Sequence, residues 1–272
     1  MKLCMFSPKG MDLERGWPGR IEGDRVIQLA AQTLQAFFTG GGTAREHAEY
    51  PLADVVLRPP VLRPPSVRDF YAFEQHVRTA REQRGSKVPA EWYEQPVFYF
   101  SNPAAIFGPE EEVPYPDPSR ELDYELEVAA IIGDGGIGGF TVMNDWSARD
   151  LQRAEMRVGL GPAKGKDFAT SLGPTVVTPD EFDGTSAVMT ARVNGEERSR
   201  GQLEDMYFTW ERIVEQAARN TRLYPGDVLG SGTVGTGCIL EHGDGRWLQP
   251  GDVVELEVEG IGVLRNTVGA RG

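Results

Sequence analysis

Short strand-like runs separated by turn residues constrain the fold of this chain more than any other feature. Four runs beyond residue 120 are rich in apolar and β-branched residues: 122–132, 174–178, 187–193 and 252–258. Turn signals lie between them at Asn194-Gly195, Pro225-Gly226-Asp227 and Pro250-Gly251-Asp252. Helical patterns are fewer, at 70–84, 147–158 and 204–219, and they do not alternate regularly with the strands. The pattern therefore predicts a mixed, β-rich α/β protein rather than a doubly wound parallel sheet.

A proline-rich segment divides the chain into two predicted parts. Residues 58–66, RPPVLRPPS, carry four prolines in nine positions, which favours an extended, semi-rigid linker. Residues 1–57 before it contain a strand (MKLCMF), a hairpin around Gly23-Asp24 and a short helix (AAQTLQAFF). We therefore predict a small N-terminal domain over 1–57, a linker over 58–66 and a larger domain over 67–272.

The charge of the chain excludes several classes of partner. The formal net charge is −13 and the sequence pI is about 4.8, which argues against binding to nucleic acid or to an anionic membrane. An anionic substrate would need a local cluster of Arg and Lys side chains. The N-terminus has no apolar core of signal-peptide type, and no apolar run approaches the ~20 residues that a membrane span needs. Cys4 and Cys238 lack a CxxC spacing. We expect a cytoplasmic protein with reduced thiols.

A pair of glutamates is the strongest chemical signal. Glu125 and Glu127 are two apart in LDYELEV, so in a strand they would share one face. Two carboxylates about 4 Å apart repel by roughly 4 kcal/mol at an effective dielectric of about 20. A divalent cation would remove that cost, and Asp145 in MNDWSARDLQ is a natural third ligand. The alternative is the charged face of an edge strand, but Ala129 and Ile131 continue the same face as apolar, which indicates a pocket.

Three further features of the sequence have simpler interpretations. Residues 133–138, GDGGIG, fit GxGxxG after a strand, but the strand-like FTVMND follows them, so we predict a turn rather than a dinucleotide site. His76 lies in a predicted helix, where a histidine is ordinarily a surface or core residue. Arg149 and Gln152 are three apart on another predicted helix and share a face.

Seven motifs in order resemble the fumarylacetoacetate hydrolase superfamily. They are DFYAFEQH at 69–76, PVFY at 96–99, LDYELEVAAIIG at 122–133, MNDWSARDLQ at 143–152, GKDFAT at 165–170, SGTV at 231–234 and ILE at 239–241. The resemblance implies a rolled, sandwich-like sheet in the second part and a homodimer. It also implies a divalent cation held by Asp69, Glu125, Glu127 and Asp145. All-oxygen ligation favours Mg²⁺, with Mn²⁺ or Ca²⁺ as alternatives.

The resemblance further implies roles for the remaining site residues. His76 would activate water, and Glu241 would orient His76. Lys166 would face a developing enolate. Substrate would be held by Tyr99, Arg149, Gln152, Thr170, Gly232 and Thr233. An arginine that reaches a distal carboxylate in the family falls near Gly85 here, with Arg81 and Arg84 close by.

The function predicted on this basis is cleavage of a carbon–carbon bond in a β-diketo acid, such as an acylpyruvate or a fumarylacetoacetate-like compound. The main alternative is isomerisation or decarboxylation of a hydroxymuconate-type diacid in aromatic compound catabolism. Both routes pass through an enolate, so the ligands do not separate them, and the histidine with its glutamate favours hydrolysis. A third interpretation is a binding protein that keeps the metal without turnover.

Overall fold

Strands dominate the architecture, as predicted. A computed structural model of the chain describes residues 1–271. The strands of the first half are β1 (Lys2–Pro8), β2 (Trp17–Glu22), β3 (Arg25–Leu29), β4 (Glu46–Pro51), β5 (Val55–Arg58), β6 (Val67–Phe70), β7 (Phe98–Ser101), β8 (Ile106–Phe107), β9 (Glu112–Tyr115) and β10 (Leu122–Asp123). Those of the second half are β11 (Leu126–Ile132), β12 (Ile137–Asp145), β13 (Ser147–Ala148), β14 (Thr170–Val177), β15 (Val188–Val193), β16 (Glu196–Gln202), β17 (Val228–Gly230), β18 (Val253–Val258) and β19 (Gly262–Arg271).

The helices are short and lie between the strands. They are α1 (Leu34–Thr39), α2 (Glu74–Glu82), α3 (Ala90–Glu94), α4 (Arg149–Met156), α5 (Trp210–Ala218) and α6 (Ile239–His242). The three predicted helices correspond to α2, α4 and α5, each shorter than its sequence pattern. The predicted hairpin at Gly23-Asp24 is β2–β3, and the glycine-rich 133–138 turn joins β11 to β12. None of the helices within residues 1–271 has the length and apolar character needed to cross a membrane.

A twelve-stranded sheet forms the body of the protein. Its order is β4-β3-β2-β1-β14-β12-β11-β17-β6-β7, with β5 on β1 and β8 on β14. Five further strands form a second hydrogen-bonded sheet, in the order β16-β15-β18-β19-β9, and β10 pairs with β13. Strand β1 pairs with β14 through Leu3 and Val176. The strands of residues 1–57 therefore continue the large sheet across the predicted linker, and the division into two domains stays a prediction.

Strand β11 explains why the central run of the sequence is almost continuously apolar. Val128 and Ala130 belong to the larger core cluster, which also contains residues of the five-stranded sheet. Ala129 and Ile131 belong to a second cluster, which includes Phe37 of α1. A strand that is covered on both faces loses the polar–apolar alternation of a half-exposed one. Glu127 in this strand and Glu125 just before it are both buried.

Candidate active site

Four carboxylates from three strands and one connection meet in the interior. Asp69 is in β6, Glu127 in β11 and Asp145 at the end of β12. Glu125 lies in the break between β10 and β11, so the single strand predicted over 122–132 is wrong at this point. One oxygen of each residue lies within 4.8 Å of the others. The residues that the sequence assigned to a cation site are thus together, although local strand geometry does not align the two glutamates.

Three oxygens of this cluster are buried without a hydrogen-bond partner. They are Oδ1 of Asp69, Oε2 of Glu127 and Oδ1 of Asp145. Burial raises the pKa of Asp69, and the charge of Asp145 raises it further. Burial also raises the pKa of Glu127, with Asp69 as the next contribution, and that of Asp145. Converging buried oxygens without donors, in carboxylates that repel one another, fit a hard divalent cation.

Gly230 of β17 provides the room beside these oxygens. A Cβ at this position would lie 2.5 Å from Asp69 Oδ1 and 3.0 Å from Glu127 Oε2. Its backbone pairs with Asp69 of β6 on one side and with Ala129 of β11 on the other. This glycine is not among the predicted site residues. A site residue without a side chain gives no chemical signal in a sequence, and only strand pairing brings it to the carboxylates.

Two buried, positively charged side chains, those of Lys166 and Arg149, face the same cluster. Lys166 Nζ lies 2.5 Å from both Glu125 Oε2 and Asp145 Oδ2. Arg149 donates from Nη2 to Glu125 Oε1 at 2.8 Å. Burial alone would raise the pKa of Glu125, but Lys166 and Arg149 lower it below its usual value. Burial opposes the charge of Lys166 in turn, yet Asp145 and Glu125 raise its pKa, so it is an ammonium ion at neutral pH.

Asp123 is a second site residue that the sequence analysis missed. Its carboxylate accepts from Arg149 Nε at 2.8 Å and from the backbone N–H groups of Ile239 and Leu240 at 2.7 and 3.0 Å. It therefore joins the arginine beside the cluster to the helix α6 that carries Glu241. The sequence contains one signal for this role, which is an aspartate within an apolar run two positions before Glu125.

His76 and Glu241 form a buried pair. Nδ1 of His76 lies 3.1 Å from Oε2 of Glu241, and the two side chains are 5% and 3% exposed. The pair approaches closely without the alignment of a full hydrogen bond, as is common before substrate tightens a site. The carboxylate lies on the Nδ1 side of the ring, which leaves Nε2 on the other side.

One cavity of about 270 Å³ brings most of the predicted residues together. Its lining includes Asp69, Tyr71, His76, Arg81, Arg84, Tyr99, Glu125, Arg149, Gln152, Met156, Lys166 and Thr233. The Tyr99 hydroxyl donates to Asp145 Oδ2 at 2.5 Å, and the Thr233 hydroxyl donates to Glu127 Oε1 at 3.3 Å. Arg149 Nη1 donates to Gln152 Oε1 at 3.2 Å.

The remaining substrate-binding predictions fall outside the lining of this cavity. The Thr170 hydroxyl is 3.3 Å from that of Ser101. Gly232 has φ of +80°, and a Cβ there would lie 2.5 Å from the Phe70 carbonyl oxygen. Gly232 is explained by the turn that positions Thr233. Contact of Thr170 or Gly232 with substrate stays a prediction.

A larger cavity, of about 420 Å³, lies between the N-terminal strands and the proline-rich segment. Its lining includes Trp17, Pro59 and Arg63, and its one carboxylate is Glu14. It has neither a histidine nor a cluster of acidic groups. We therefore place the candidate active site in the smaller cavity, where converging polar groups with shifted pKa values occur.

Comparison with known proteins gives one family match over most of the chain. The family described as fumarylacetoacetate hydrolase C-terminal matches residues 66–269. The human mitochondrial oxaloacetate tautomerase is 34% identical over 262 residues, which cover 91% of this chain and 77% of the human one.

Solved structures match along the whole chain. A fumarylacetoacetate hydrolase from psychrophilic Exiguobacterium antarcticum has a TM-score of 0.81 at 28% identity and covers 100% of both chains. A 5-carboxymethyl-2-hydroxymuconate delta-isomerase from Mycobacterium smegmatis has a TM-score of 0.78 at 28% identity and covers 99% of each chain. The shared scaffold thus carries more than one reaction.

Proposed function

The chain belongs to the fumarylacetoacetate hydrolase family, and on that premise we propose that it is a divalent-metal-dependent enzyme that hydrolyses a carbon–carbon bond in a β-diketo acid. One observation carries the proposal. His76, backed by Glu241, lines the same cavity as Asp69, Glu125 and Lys166. A paired base and an acidic cluster with an ammonium ion are the groups that water addition and enolate departure require.

The carboxylates of Asp69, Glu125, Glu127 and Asp145 would hold the cation, for which Mg²⁺, Mn²⁺ and Ca²⁺ are the candidates. When bound, such an ion would hold the 2-oxo-acid end of the substrate and stabilise negative charge on its oxygens. Lys166 would add a charged donor on the same side, since its ammonium has three protons and two nearby carboxylates hold it in place.

His76 would act on water within the same cavity. Glu241 lies on the Nδ1 side of the ring, so it can stabilise the imidazolium that forms when Nε2 takes a proton. Hydroxide then adds to the carbonyl remote from the oxo-acid end. The carbon–carbon bond breaks, the electron pair becomes the enolate beside Lys166, and the imidazolium returns a proton to the leaving carbon.

Two arginines favour a substrate with a second carboxylate. Arg81 and Arg84, at and just beyond the end of α2, line the cavity. Arg81 Nε is buried without a hydrogen-bond partner. Neither guanidinium is within ion-pair distance of an acidic side chain among residues 1–271. A dicarboxylate would pair with them, so we favour a fumarylacetoacetate-like acid over an acylpyruvate with an apolar tail.

Isomerisation or tautomerisation is the second candidate, and the relatives favour it. The human relative is named as an oxaloacetate tautomerase, and one structural neighbour as a hydroxymuconate isomerase. His76 and Lys166 line one cavity, so a proton could pass between carbon and oxygen with no added water. Decarboxylation would need only stabilisation of the enolate.

A product assay separates these reactions. Acylpyruvates, fumarylacetoacetate, oxaloacetate and hydroxymuconate analogues are each incubated with Mg²⁺ in H₂¹⁸O and in D₂O. Hydrolysis places ¹⁸O in one acid product and yields two fragments. Intact substrate that has only exchanged deuterium at carbon would replace the hydrolase proposal with the tautomerase, and release of carbon dioxide would replace it with the decarboxylase.

A further inference from the structure

A second group of metal-type donors lies behind the proposed base. His76, Cys238 and Glu241 each offer a ligand atom, and these atoms all lie within 4.8 Å of one another. They are distinct from the four carboxylates in residue identity and in chemistry, since they combine nitrogen, sulfur and oxygen. Cys238 precedes α6, and the proposed reaction does not use it.

Two of the distances within this group are close to those of a coordination shell. Nδ1 of His76 is 3.1 Å and Sγ of Cys238 is 3.6 Å from Oε2 of Glu241. Donor atoms around a tetrahedral zinc ion are about 3.3–3.8 Å apart, given bonds of about 2.0–2.3 Å. The three side chains could therefore surround such an ion with small rotations.

Two polar atoms of this group are buried without a hydrogen-bond partner. They are Nδ1 of His76 and Oε1 of Glu241. The two side chains are only 5% and 3% exposed. Cys238 is 0% exposed. Buried polar atoms ordinarily have partners, so a ligand of positive charge would resolve an existing deficit.

We propose that His76, Cys238 and Glu241 form a binding site for Zn²⁺, with water as the fourth ligand. Imidazole and thiolate suit Zn²⁺, whereas Mg²⁺ and Ca²⁺ prefer oxygen. The ion displaces the thiol proton to solvent as it binds. It enters through the active-site cavity, because His76 and Leu240 line the wall of that cavity.

Occupancy of this site would switch off the base. Zn²⁺ on Nδ1 leaves the remaining ring proton on Nε2, so that nitrogen has no lone pair for water. Glu241 is a ligand in this state and no longer stabilises an imidazolium. The protein would thus be activated by hard cations and inhibited by Zn²⁺. The inhibition rests on the proposed function, whereas the binding does not.

Binding is tested with Co²⁺ as a spectroscopic probe, with Mg²⁺ in excess to occupy the carboxylate cluster. Thiolate ligation to Co²⁺ gives a sulfur-to-metal charge-transfer absorption, and Zn²⁺ should abolish it by competition. The band should be present in the wild type and in Cys4→Ala, whose lost thiol is in β1, and absent in Cys238→Ala. Absence of the band from the wild type, or its persistence in Cys238→Ala, would overturn the proposal.

Inhibition gives an independent readout. Loss of the thiolate should raise the Zn²⁺ concentration for half-inhibition by at least about 10–100-fold. Metal affinity already falls by that factor when only a hydrogen-bond partner of a ligand is removed. Cys4→Ala should match the wild type. Equal inhibition of wild type and Cys238→Ala would show that Zn²⁺ acts elsewhere and would reject the regulatory role. If Cys238→Ala does not fold, Cys238→Ser serves in both measurements, with the same expected losses.

If the proposed hydrolysis fails while the cobalt band behaves as expected, the zinc site stands and only its effect needs reassignment.

Discussion

Glu127 is the residue on which the proposed cation site depends most clearly. It is 0% exposed, and its Oε2 has no hydrogen-bond donor. Its pKa is raised by burial and then by Asp69, so in metal-free protein its charge is a cost. A bound cation turns the same charge into a source of stability.

Glu127→Gln should therefore separate metal binding from folding. The variant loses one charged ligand, so Mg²⁺ affinity and turnover should fall together. The metal-free variant should unfold at the same or a higher temperature, because a buried like charge is gone. A ligand at 100 times its Kd adds about 2.7 kcal/mol to the free energy of unfolding. For a chain of this size that corresponds to a rise of about 5 °C or more in Tm. Calorimetry with and without Mg²⁺ should show that shift in the wild type and not in the variant.

Glu257→Gln is the matched control. Its carboxylate pairs with Arg192 at 2.8 Å and is 40% exposed, so the response to Mg²⁺ should be retained. A normal Mg²⁺ shift in Glu127→Gln would contradict the ligand assignment.

His76→Ala should remove the base without removing the cation site. A base that acts in the transition state contributes about 10²–10⁴ in rate, so kcat should fall by that factor with KM little changed. Glu241→Gln should cost less, since Glu241 orients and stabilises the ring. His47→Ala is the control, because His47 is exposed in β4. Steady-state kinetics on the cleaved substrate, with Mg²⁺ binding measured in parallel, make the comparison, and near-normal turnover in His76→Ala would reject His76 as the base and the hydrolysis proposal with it.

At the scale of elements, the site is assembled by neighbouring strands of one sheet. The order β6-β17-β11-β12 places Asp69, Gly230, Glu127 and Asp145 side by side. β6, β11 and β12 bring carboxylates, and β17, which lies between β6 and β11, brings Gly230. Gly230 thus acts as a spacer, because its lack of a side chain leaves room between Asp69 and Glu127.

Gly230→Ala tests this spacer. The added methyl group would lie 2.5 Å from Asp69 Oδ1 and 3.0 Å from Glu127 Oε2, so it should displace a ligand and abolish the Mg²⁺-induced rise in Tm. Gly136→Ala, in the exposed β11–β12 turn with nothing within 4 Å of a Cβ, should keep the rise. Titration calorimetry with Mg²⁺ gives the same comparison as affinity. Unchanged Mg²⁺ affinity in Gly230→Ala would mean that the cation does not use these two oxygens.

At the scale of the whole molecule, residues 1–57 are bound into the catalytic fold. β1 lies between β2 and β14 in the sheet. Leu3 and Met5 of β1 and Phe37 and Phe38 of α1 pack in the same cluster as Ile131 and Leu172. Removing this part would expose the apolar back of β11 and an unpaired edge of β14.

The fragment 58–272 should therefore fail to fold alone. We expect aggregation, or a state that binds hydrophobic dyes and lacks a cooperative thermal transition, because a core face would be open to water. Circular dichroism and calorimetry on the fragment and on the full chain make the comparison. A fragment that unfolds cooperatively and binds Mg²⁺ would support the independent N-terminal domain that the proline-rich segment predicts.

The sequence by itself determined the local features of this protein. Gly23-Asp24 and the 133–138 turn join strands, and the apolar run of β11 is buried, because such features depend on residues a few positions apart. The motif order identified the family and supplied the candidate residues of the cation site and the His76–Glu241 pair.

Only the tertiary structure decided how these residues are arranged. Glu125 left the strand, since Arg149 and Lys166, 24 and 41 residues away, hold its carboxylate. Gly230, Asp123 and Cys238 each have at least one partner that lies more than about 100 residues away in the chain. Contacts of that kind depend on strand order and on the packing of α6 against the sheet. Neither residue type nor spacing encodes them in a form that can be read locally.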